Sequence, residues 1–347
     1  MVGEPAVVDD SRVAERRRLL QYIGGYSMTC AMYTAAKLEL ADHLARMKDR
    51  RGTAAELADK CGAHAPSLYR LMRMLASVGI FAEEDDGKFG FTPLAEYLRQ
   101  DNEDSLWPVA MMTGEEHYLV YGKLVDAVRT GQTMFEEVAG APVFEFLSKN
   151  PEKGRVFDAA MNAFHGDETA QMLAAYDFSQ VRTLADVGGG NGSVLIAALQ
   201  ANPHLRGMLY DLRPVIDRAR PRIEAAGLAD RCQLVAGNFF EGVAAGADAY
   251  LMRHIIHDWD DAKCGVILAN IHRVMPDDGR LLVIDTVIPK GNAPWFGKIL
   301  DLTMLLMPGG KERTADEFRA LLAASRFELT RIVPTRGEVS IVEGRKR

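Results

Sequence analysis

The feature that most constrains the fold of this chain is a glycine-rich run at Asp186–Gly192, which has the sequence DVGGGNG. It follows the apolar segment Thr183–Val187, and it precedes a segment that we predict to be helical. Glycines at such a strand-to-helix turn let a ligand approach the backbone closely. The run therefore predicts a parallel α/β sheet that binds a ligand at the carboxyl ends of its strands.

The spacing of these glycines separates two kinds of ligand. A dinucleotide fingerprint that starts at Gly188 needs a further glycine where this chain has Ser193. An acidic residue followed by GxGxG instead resembles motif I of the S-adenosylmethionine-dependent methyltransferases. A pyrophosphate would use helix N–H groups, whereas Asp186 suits the cationic methionine end of S-adenosylmethionine. The resemblance implies S-adenosyl-L-methionine as the cofactor and S-adenosyl-L-homocysteine as its product.

The carboxyl-terminal half alternates strands with helices. This pattern predicts a doubly wound, mostly parallel α/β sheet, which the resemblance extends to seven strands in a Rossmann-like catalytic domain at residues 176–347. An antiparallel hairpin, Phe327–Pro334 with Val339–Glu343, is expected at the end of the chain. The parallel strands that we predict are Thr183–Val187, Gly207–Asp211, Cys232–Ala236, Ala247–Met252 and Arg280–Ile284.

The first hundred residues follow a different pattern. Thr53 and Glu56 form a predicted capping box at the start of one helix. A second helix spans Ala65–Val78, and two short strands flank a turn at Asp85–Gly87. This order indicates a winged-helix-like domain at residues 1–100. Its charges balance, and its wing tip is acidic where a DNA-binding wing contacts phosphate, so a dimerisation module is favoured over DNA binding.

Composition argues against several classes of protein. The 347 residues suffice for about two domains, and no apolar run approaches the roughly 18 residues that span a bilayer. Residues 1–11 lack the apolar core of a signal peptide. The four cysteines form no CxxC pair and the net charge is -7, which disfavours a disulfide scaffold and a nucleic-acid coat. We expect a cytoplasmic protein without nucleic-acid or membrane partners, and no His, Asp and Glu set has the spacing of metal ligands.

Polar residues follow two neighbouring strands at the same predicted sheet edge. Asp211 ends the second strand and follows the glycine run at a distance where an acid accepts hydrogen bonds from both ribose hydroxyls. Asn238 follows the third strand and is placed to hydrogen-bond an adenine amino group. Phe239 either stacks on the adenine ring or packs in the core, and both interpretations remain open.

His257 follows the fourth strand, two residues before Trp259. An imidazole is partly unprotonated near neutral pH, whereas a phenol with a pKa of about 10 keeps its proton. A positioned base that removes this proton accelerates a reaction by roughly 10²–10⁴-fold. A carboxylate on the other ring nitrogen would orient the imidazole, and Asp285 and Glu312 are the candidates. Their alternative interpretations are a solvated loop acid and a helix-start acid.

Residues 101–175 form a predicted helical bridge that is rich in methionine and aromatic residues. Most of these side chains are expected to pack in an ordinary helix core. Such a density of flexible and flat side chains is also typical of an adaptable apolar pocket for a flat ligand. The bridge is therefore a candidate contributor to a substrate pocket.

Three blocks occur in order along the chain: DVGGGNG at Asp186–Gly192, RHIIHDW at Arg253–Trp259 and GGKERT at Gly309–Thr314. Together they closely resemble the small-molecule O-methyltransferases, which include plant caffeate and flavonoid, animal acetylserotonin and bacterial polyketide O-methyltransferases. The resemblance covers nearly the whole chain. It implies a homodimer that forms through the amino-terminal domain, with residues near Tyr26–Met32 reaching the partner's pocket.

The resemblance also implies roles for individual residues. His257 would be the general base, oriented by Glu312 and Asp285, and Asp285 is one methylene shorter than the Glu common in plant relatives. Asn238 and Arg253 stand where the family often has Asp and Lys, so we expect an altered affinity for the cofactor rather than its loss. The implied cofactor residues are Gly188, Gly190, Asp211, Leu212, Asn238, Phe239, Arg253, Phe144 and Met161. The implied substrate residues are Met111, His117, Phe157, Asn162, His165, Asp258, Met304 and Met307.

These observations predict a metal-independent enzyme of secondary metabolism that methylates a phenolic or enolic hydroxyl of a small aromatic acceptor. A first alternative keeps the fold and cofactor but changes the chemistry to a cofactor-assisted hydroxylation or decarboxylation. A less favoured alternative is a ligand-responsive, winged-helix DNA-binding regulator. The acceptor is not predicted, because the shape of its pocket depends on side-chain packing.

Overall fold

The computed structural model describes residues 10–347. The chain folds into two compact units, of which the first comprises the chain up to Tyr121 together with Leu147–Phe164. The second comprises Gly122–Phe146 and His165–Arg347. Residues 1–11, for which we expected no signal peptide, lie mostly outside the described residues. The domain boundaries at residues 100 and 175 remain a prediction.

The first unit is mainly helical with a small antiparallel sheet. Its strands are β1 (Arg51–Thr53), β2 (Phe81–Glu83) and β3 (Lys88–Phe91), in the order β1-β3-β2. The predicted order of helix, helix and hairpin is confirmed, and the capping box between Thr53 and Glu56 is present. Its helices are Asp10–Ile23, Gly25–Lys37, Leu40–Ala45, Ala54–Cys61, Ala65–Ser77, Pro93–Glu96, Trp107–Met112, Tyr118–Tyr121 and Pro151–Phe164, with single turns at Lys48–Arg50 and Thr113–His117.

The second unit is built on one large, mostly parallel sheet. Its strands are β4 (Thr183–Val187), β5 (Arg206–Asp211), β6 (Cys232–Ala236), β7 (Ala249–Arg253), β8 (Arg280–Ile288), β9 (Arg313–Thr314), β10 (Phe327–Pro334) and β11 (Val339–Lys346). Seven strands follow the order β10-β11-β8-β7-β4-β5-β6, and the two-residue β9 pairs with β8 beside them. The predicted doubly wound fold and its final antiparallel hairpin are confirmed, whereas β9 was not predicted.

Helices cover both faces of this sheet because its central strands are apolar on both sides. Leu184 and Leu209 pack into the core on one face, while Ala185 and Tyr250 pack into the core on the other. The helices of the second unit are Leu124–Thr130, Phe135–Ala139, Glu168–Ala175, Ser193–Ala201, Arg213–Ala225, Asp261–Val274, Gly297–Leu306 and Ala315–Ala324. The helix Val143–Lys149 spans the boundary between the two units, and Ile256–Asp258 forms a single turn.

The strand order reverses at β4, which lies between β5 and β7. Such a reversal opens a crevice outside the carboxyl ends of the strands, and ligands of open α/β sheets bind there. The glycine run follows β4 directly, so the topology places it at this crevice. Within residues 10–347, no helix combines the length and the apolar character that a membrane crossing requires.

A buried carboxylate joins the terminal hairpin to the rest of the second unit. Glu343 on β11 is only 3% exposed, and it accepts hydrogen bonds from the hydroxyl of Tyr176 at 2.7 Å and from Arg331 at 2.9 Å. Burial raises the pKa of Glu343, but these two donors outweigh burial and hold the pKa below its ordinary value. The hairpin is therefore held by the hydrogen bonds of the Glu343 carboxylate as well as by the backbone hydrogen bonds between β11 and β8.

Replacing Glu343 with Ala leaves the buried Tyr176 hydroxyl without its acceptor. We expect the free energy of unfolding to fall by about 1–3 kcal/mol, which is the typical cost of an unsatisfied buried group. Urea denaturation measures this loss. Glu328→Ala, at an exposed position of the same hairpin, is the matched control, and equal stabilities of the two variants would contradict the prediction.

Candidate active site

The glycine run forms a tight turn between β4 and the helix Ser193–Ala201. Gly188, Gly190 and Gly192 all have positive φ angles, of 73°, 58° and 78°. A Cβ atom on Gly188 would lie 2.6 Å from the side chain of Ile255, whereas one on Gly190 would meet nothing within 4 Å. The turn thus packs closely on one side at Gly188 and leaves open space beside Gly190.

Asp211 holds this turn in place. Its carboxylate accepts a hydrogen bond from the backbone N–H of Gly190 at 2.9 Å and another from the N–H of Leu212 at 2.7 Å. Each carboxylate oxygen has a further lone pair. The structure therefore places the Asp211 carboxylate against the glycine turn.

A second acid of the same run is deeply buried. Asp186 is 1% exposed, and its Oδ2 atom has no hydrogen-bond partner among the described residues. Burial raises the pKa of Asp186 to about 7, against the opposing charge of Arg253. An unpaired buried carboxyl beside an open turn fits a ligand that carries a positive charge, as the methionine end of S-adenosylmethionine does.

Local hydrogen bonds of the Asn238 side chain order the residues after β6. The side chain of Asn238 accepts a hydrogen bond from the N–H of Phe240 at 3.0 Å and donates one to Glu241 at 3.2 Å. Phe239 is part of an aromatic cluster with Phe240 and Trp259, at ring distances of 4.9 and 6.3 Å. Both interpretations of Phe239 therefore remain open, because it has core contacts and lies in the loop that follows a strand at the crevice.

Arg253 ends β7 and is mostly buried. Its guanidinium donates a hydrogen bond to the hydroxyl of Thr169 at 2.9 Å. Burial lowers the pKa of Arg253, while the carboxyls of Asp186 and Glu168 oppose this shift. The residue places a fixed positive charge at the carboxyl end of β7.

His257 forms a buried pair with Glu312. Its Nδ1 atom lies 2.7 Å from Oε1 of Glu312, and the two residues are 7% and 3% exposed. The other ring nitrogen, Nε2, lies 3.6 Å from Asp258. The pair leaves Nε2 as the nitrogen that can exchange a proton with another molecule, with Asp258 beside it.

Two residues of the GGKERT block bring Glu312 to His257. Arg313 is fully buried and donates hydrogen bonds to the carbonyls of Ile256 and Trp259, both at 3.0 Å. Gly310 packs against the same loop, and a Cβ atom there would lie 1.9 Å from the carbonyl oxygen of His257. The block therefore packs against the loop that carries His257 and hydrogen-bonds to it. The sequence analysis singled out neither Gly310 nor Arg313.

The charges around His257 act in opposite directions. Burial lowers the pKa of the imidazole, but the carboxylates of Asp258 and Glu312 outweigh burial and raise the pKa to about 10. Burial also raises the pKa of Asp258 to about 6, and the nearby imidazolium opposes that shift. In the free protein His257 is therefore an imidazolium at neutral pH.

Asp285 does not contact His257 in the way that the resemblance implied. It is completely buried, and neither of its carboxyl oxygens has a hydrogen-bond partner among the described residues. Burial raises its pKa to about 8, against the charge of His257. Its Oδ1 atom lies 3.8 Å from Nδ1 of His254, and among the described residues Glu312 is the one that hydrogen-bonds the imidazole of His257.

A second histidine–carboxylate pair lies beside the first and was missed at the level of sequence. Nε2 of His254 lies 2.8 Å from Glu168, and the ring of His254 stacks on that of His165 at 3.9 Å. Folding brings His165, Glu168 and His254 within 4.8 Å of one another, although they lack the spacing of metal ligands in the sequence. The two imidazole planes are 16° apart, so their nitrogens do not converge on one point.

The remaining predicted residues divide between the two units. Phe144 packs on Trp259 at a ring distance of 5.7 Å, and Met304 and Met307 are buried in the second unit. In the first unit, burial lowers the pKa of His117 to about 4. The predicted site residues that belong to the first unit are Met111, His117, Phe157, Met161 and Asn162, and their place in a pocket remains a prediction.

Comparison with known proteins matches most of the chain. The family model of the O-methyltransferase domain matches residues 121–328, and that of the O-methyltransferase dimerisation domain matches residues 20–101. The chain is 45% identical to the phenazine O-methyltransferase of Lysobacter antibioticus over 327 residues, which cover 94% of this chain and 95% of that protein. It is 36% identical to the mitomycin biosynthesis 6-O-methyltransferase of Streptomyces lavendulae over 342 residues, which cover 97% and 96%.

A solved relative contains both a cofactor and an aromatic ligand. It is an O-methyltransferase from neocarzinostatin biosynthesis in complex with S-adenosylmethionine and 2-hydroxy-5-methyl naphthoic acid. It superposes with a TM-score of 0.83 at 34% identity, and the match covers 92% of this chain and 96% of that one.

Replacing Glu312 with Gln removes the charge that stabilises the imidazolium of His257. We expect the pKa of His257 to fall from about 10 towards the ordinary value of about 6.5. Because the folded pKa is raised, the stabilisation is full below about pH 6.5 and is lost as the pH rises through about 10. In Glu312→Gln the folded pKa lies near the unfolded one, so this stabilisation is small and little of it is lost between pH 6.5 and 10.

Nitrogen NMR of the imidazole, together with urea denaturation across this pH range, measures both effects. Glu224→Gln, at an exposed helix position, is the control. An unchanged titration of His257 in Glu312→Gln would contradict the role assigned to this carboxylate.

Proposed function

We propose, on the premise that this chain belongs to the S-adenosylmethionine-dependent O-methyltransferase family, that it methylates a phenolic or enolic hydroxyl of a small aromatic acceptor. The predicted family, enzyme class and cofactor are confirmed by the family matches and by relatives solved with that cofactor. The acceptor class and the residue roles are the proposal. The observation that carries it is the buried His257–Glu312 pair, which lies in the same unit as the glycine turn.

The residues present fit the cofactor. When bound, S-adenosylmethionine supplies the electrophilic methyl carbon. Gly190 leaves its backbone open to a ligand, and the carboxylate of Asp211, which lies at the same turn, would accept hydrogen bonds from the ribose hydroxyls. The buried carboxyl of Asp186 would face the cationic end, and Asn238 would hydrogen-bond the adenine.

His257 acts as the base through its Nε2 atom. Glu312 accepts the Nδ1–H hydrogen bond, which fixes the ring and stabilises the imidazolium that forms. Since the pKa of His257, about 10, matches that of a phenol at about 10, the proton passes between them without a large uphill step. The proton can start on either partner, and in both cases the rate rises with pH up to about 10.

The acceptor that fits best is a flat, fused aromatic phenol. Phe144 and Trp259 pack together, and Met304 and Met307 add flexible apolar surface within the same unit. The two curated relatives reported above act, by their names, in phenazine and mitomycin chemistry. Hydroxylated phenazines and naphthoates are therefore the first acceptors to examine.

The match to a dimerisation domain supports a homodimer. The first two helices carry large apolar side chains with half or more of their surface exposed: Leu19, Leu20, Tyr22, Ile23 and Tyr26. A second copy that covered this face would remove it from water. Sedimentation velocity is expected to give the mass of two chains, and that of one chain for Ile23→Asp with Glu15→Gln as control. A monomeric wild type would contradict the proposal.

Removal of the Asp211 carboxylate weakens cofactor binding. Asp211→Ala loses the hydrogen bonds to Gly190 and Leu212 together with the proposed ribose contacts. A charged hydrogen bond contributes about 1.5–3 kcal/mol, so calorimetric titration should show the Kd of S-adenosylmethionine and of S-adenosylhomocysteine rising by about 10–100-fold. Asp217→Ala, at an exposed helix position, should bind like the wild type. Equal affinities in all three proteins would refute the role of Asp211.

Removal of the base affects methyl transfer rather than binding. His257→Asn is expected to lower kcat by roughly 10²–10⁴-fold while the Kd of S-adenosylhomocysteine stays the same. Mass spectrometry of a phenol panel detects the methylated product, and His272→Asn, on the helix Asp261–Val274, is the control. Unimpaired transfer by His257→Asn would remove the assigned base. A wild type that binds the cofactor but methylates nothing would favour the altered-chemistry alternative.

A further inference from the structure

The loop Gly237–Gly242, here called the β6 loop, follows β6 and carries Asn238, the residue proposed to contact adenine. Several of its hydrogen bonds are internal. The backbone N–H groups of Glu241 and Gly242 donate to the carbonyl of Asn238 at 2.9 and 3.1 Å. The side chain of Asn238 accepts from the N–H of Phe240 at 3.0 Å. These bonds fix the shape of the turn, but they do not fix where the turn lies within the unit.

Strand β5 holds the two ends of the β6 loop. The N–H of Gly237 donates to the carbonyl of Asp211 at 2.9 Å, and the hydroxyl of Tyr210 donates to the carbonyl of Gly242 at 2.5 Å. Asp211 and Tyr210 both belong to β5, and Tyr210 is 5% exposed. These two bonds fix where the loop begins and ends. The residues between the two ends, which include Asn238, need a further contact to hold them.

Asn270 provides that contact. It lies on the helix Asp261–Val274 and is 4% exposed. Its side-chain amide donates a hydrogen bond to the carbonyl of Phe239 at 2.8 Å. A buried polar group costs free energy unless it is hydrogen-bonded, so this bond stabilises both the amide and the carbonyl in their places. Phe239 directly follows Asn238, and the bond therefore also limits where Asn238 can lie.

The same helix contacts the loop that carries His257. The thiol of Cys264, which is fully buried, donates a hydrogen bond to the carbonyl of Ile256 at 3.2 Å. Trp259, two residues after His257, packs its ring against that of Phe240 at 4.9 Å. The helix therefore contacts both the β6 loop and the loop of the proposed base. Since a helix is a stiff element with a rise of about 1.5 Å per residue, it fixes the distance between these two points of contact.

We propose that Asn270 is a positioning residue for the cofactor: its hydrogen bond to the carbonyl of Phe239 holds the β6 loop where Asn238 meets the adenine. This inference rests on the adenine contact proposed for Asn238. Without the amide of Asn270, the carbonyl of Phe239 loses its buried donor, and the middle of the loop can move between its two fixed ends. The cofactor must then order the loop when it binds, and this ordering lowers affinity.

Two substitutions remove the donor. Asn270→Ala leaves a small cavity, whereas Asn270→Leu keeps a side chain that branches at Cγ, and urea denaturation checks that both variants fold. We expect calorimetric titration to show that the Kd of S-adenosylhomocysteine rises about 3–10-fold in both, as for a lost hydrogen bond. The KM of S-adenosylmethionine should rise similarly, with kcat within about twofold of the wild type.

Asn202→Ala is the matched control. The amide of Asn202 also donates to a backbone carbonyl, that of Ala198, at 2.9 Å. However, Asn202 follows the end of the helix Ser193–Ala201 that is remote from the glycine turn. This variant loses the same kind of bond and should bind S-adenosylhomocysteine within about twofold of the wild type. Equal Kd values in the Asn270 variants and in Asn202→Ala would overturn the inference.

A change of base in the ligand separates positioning from a general structural role. S-inosylhomocysteine carries an oxygen where S-adenosylhomocysteine carries the amino group of adenine. We expect the wild type to bind the adenosyl ligand more tightly, and this preference to shrink in Asn270→Ala, because the proposed contact of Asn238 with the base is disturbed. A variant that is only less well folded would lose affinity for both ligands by the same factor, and that result would overturn the inference.

Amide hydrogen exchange of the cofactor-free protein tests the β6 loop without catalysis. The N–H groups of Phe240 and Gly242 should exchange faster in Asn270→Ala than in the wild type, and unchanged in Asn202→Ala, because local opening becomes easier. Unaltered exchange in Asn270→Ala would refute the positioning role even in an active enzyme. A wild type that prefers the adenosyl ligand but methylates no phenol would contradict the proposed reaction and leave the role of Asn270 supported.

Discussion

The 2.7 Å contact between His257 and Glu312 is the interaction on which the rest of the site depends. It joins residues that are 55 positions apart, and it exists only because two loops from different strands pack against each other. Gly310 permits the backbones to approach, and buried Arg313 ties them together through two carbonyls. Breaking a buried ion pair by removing one partner costs several kcal/mol, so the geometry of the base and the integrity of this corner of the fold are linked.

The large features of the fold could be predicted from the sequence because they depend on local patterns. Apolar runs such as Thr183–Val187 and the glycine turn specify a strand, a turn and a helix whatever surrounds them. The contacts of His254 could not be predicted in this way. Its partner Glu168 lies 86 residues away, and only folding shows that the pair is buried next to Asp285. Arg313 was missed because its partners Ile256 and Trp259 are also distant in sequence. An arginine near a helix start usually faces solvent.

Side-chain length explains why the two acids expected to hold His257 differ in the structure. Glu312 reaches the ring, whereas Asp285 stops short of it, and neither of its oxygens has a hydrogen-bond partner within residues 10–347. A buried acid without a donor is more stable when protonated. The two acids therefore differ in their contacts: Glu312 is paired with the imidazole, whereas burial raises the pKa of Asp285 to about 8.

Crowding of acids at one edge of the sheet separates their pKa values. Asp258, Asp285 and Glu312 surround a single imidazolium, and they cannot all be ionised at close range in a region that excludes water. The pKa of Asp258 rises to about 6 and that of Asp285 to about 8, while that of His257 rises to about 10. Titratable neighbours whose pKa values are pushed apart are typical of sites that move protons. The fold thus places, around one histidine, a carboxylate within hydrogen-bond distance of its ring and two acids whose pKa values are raised.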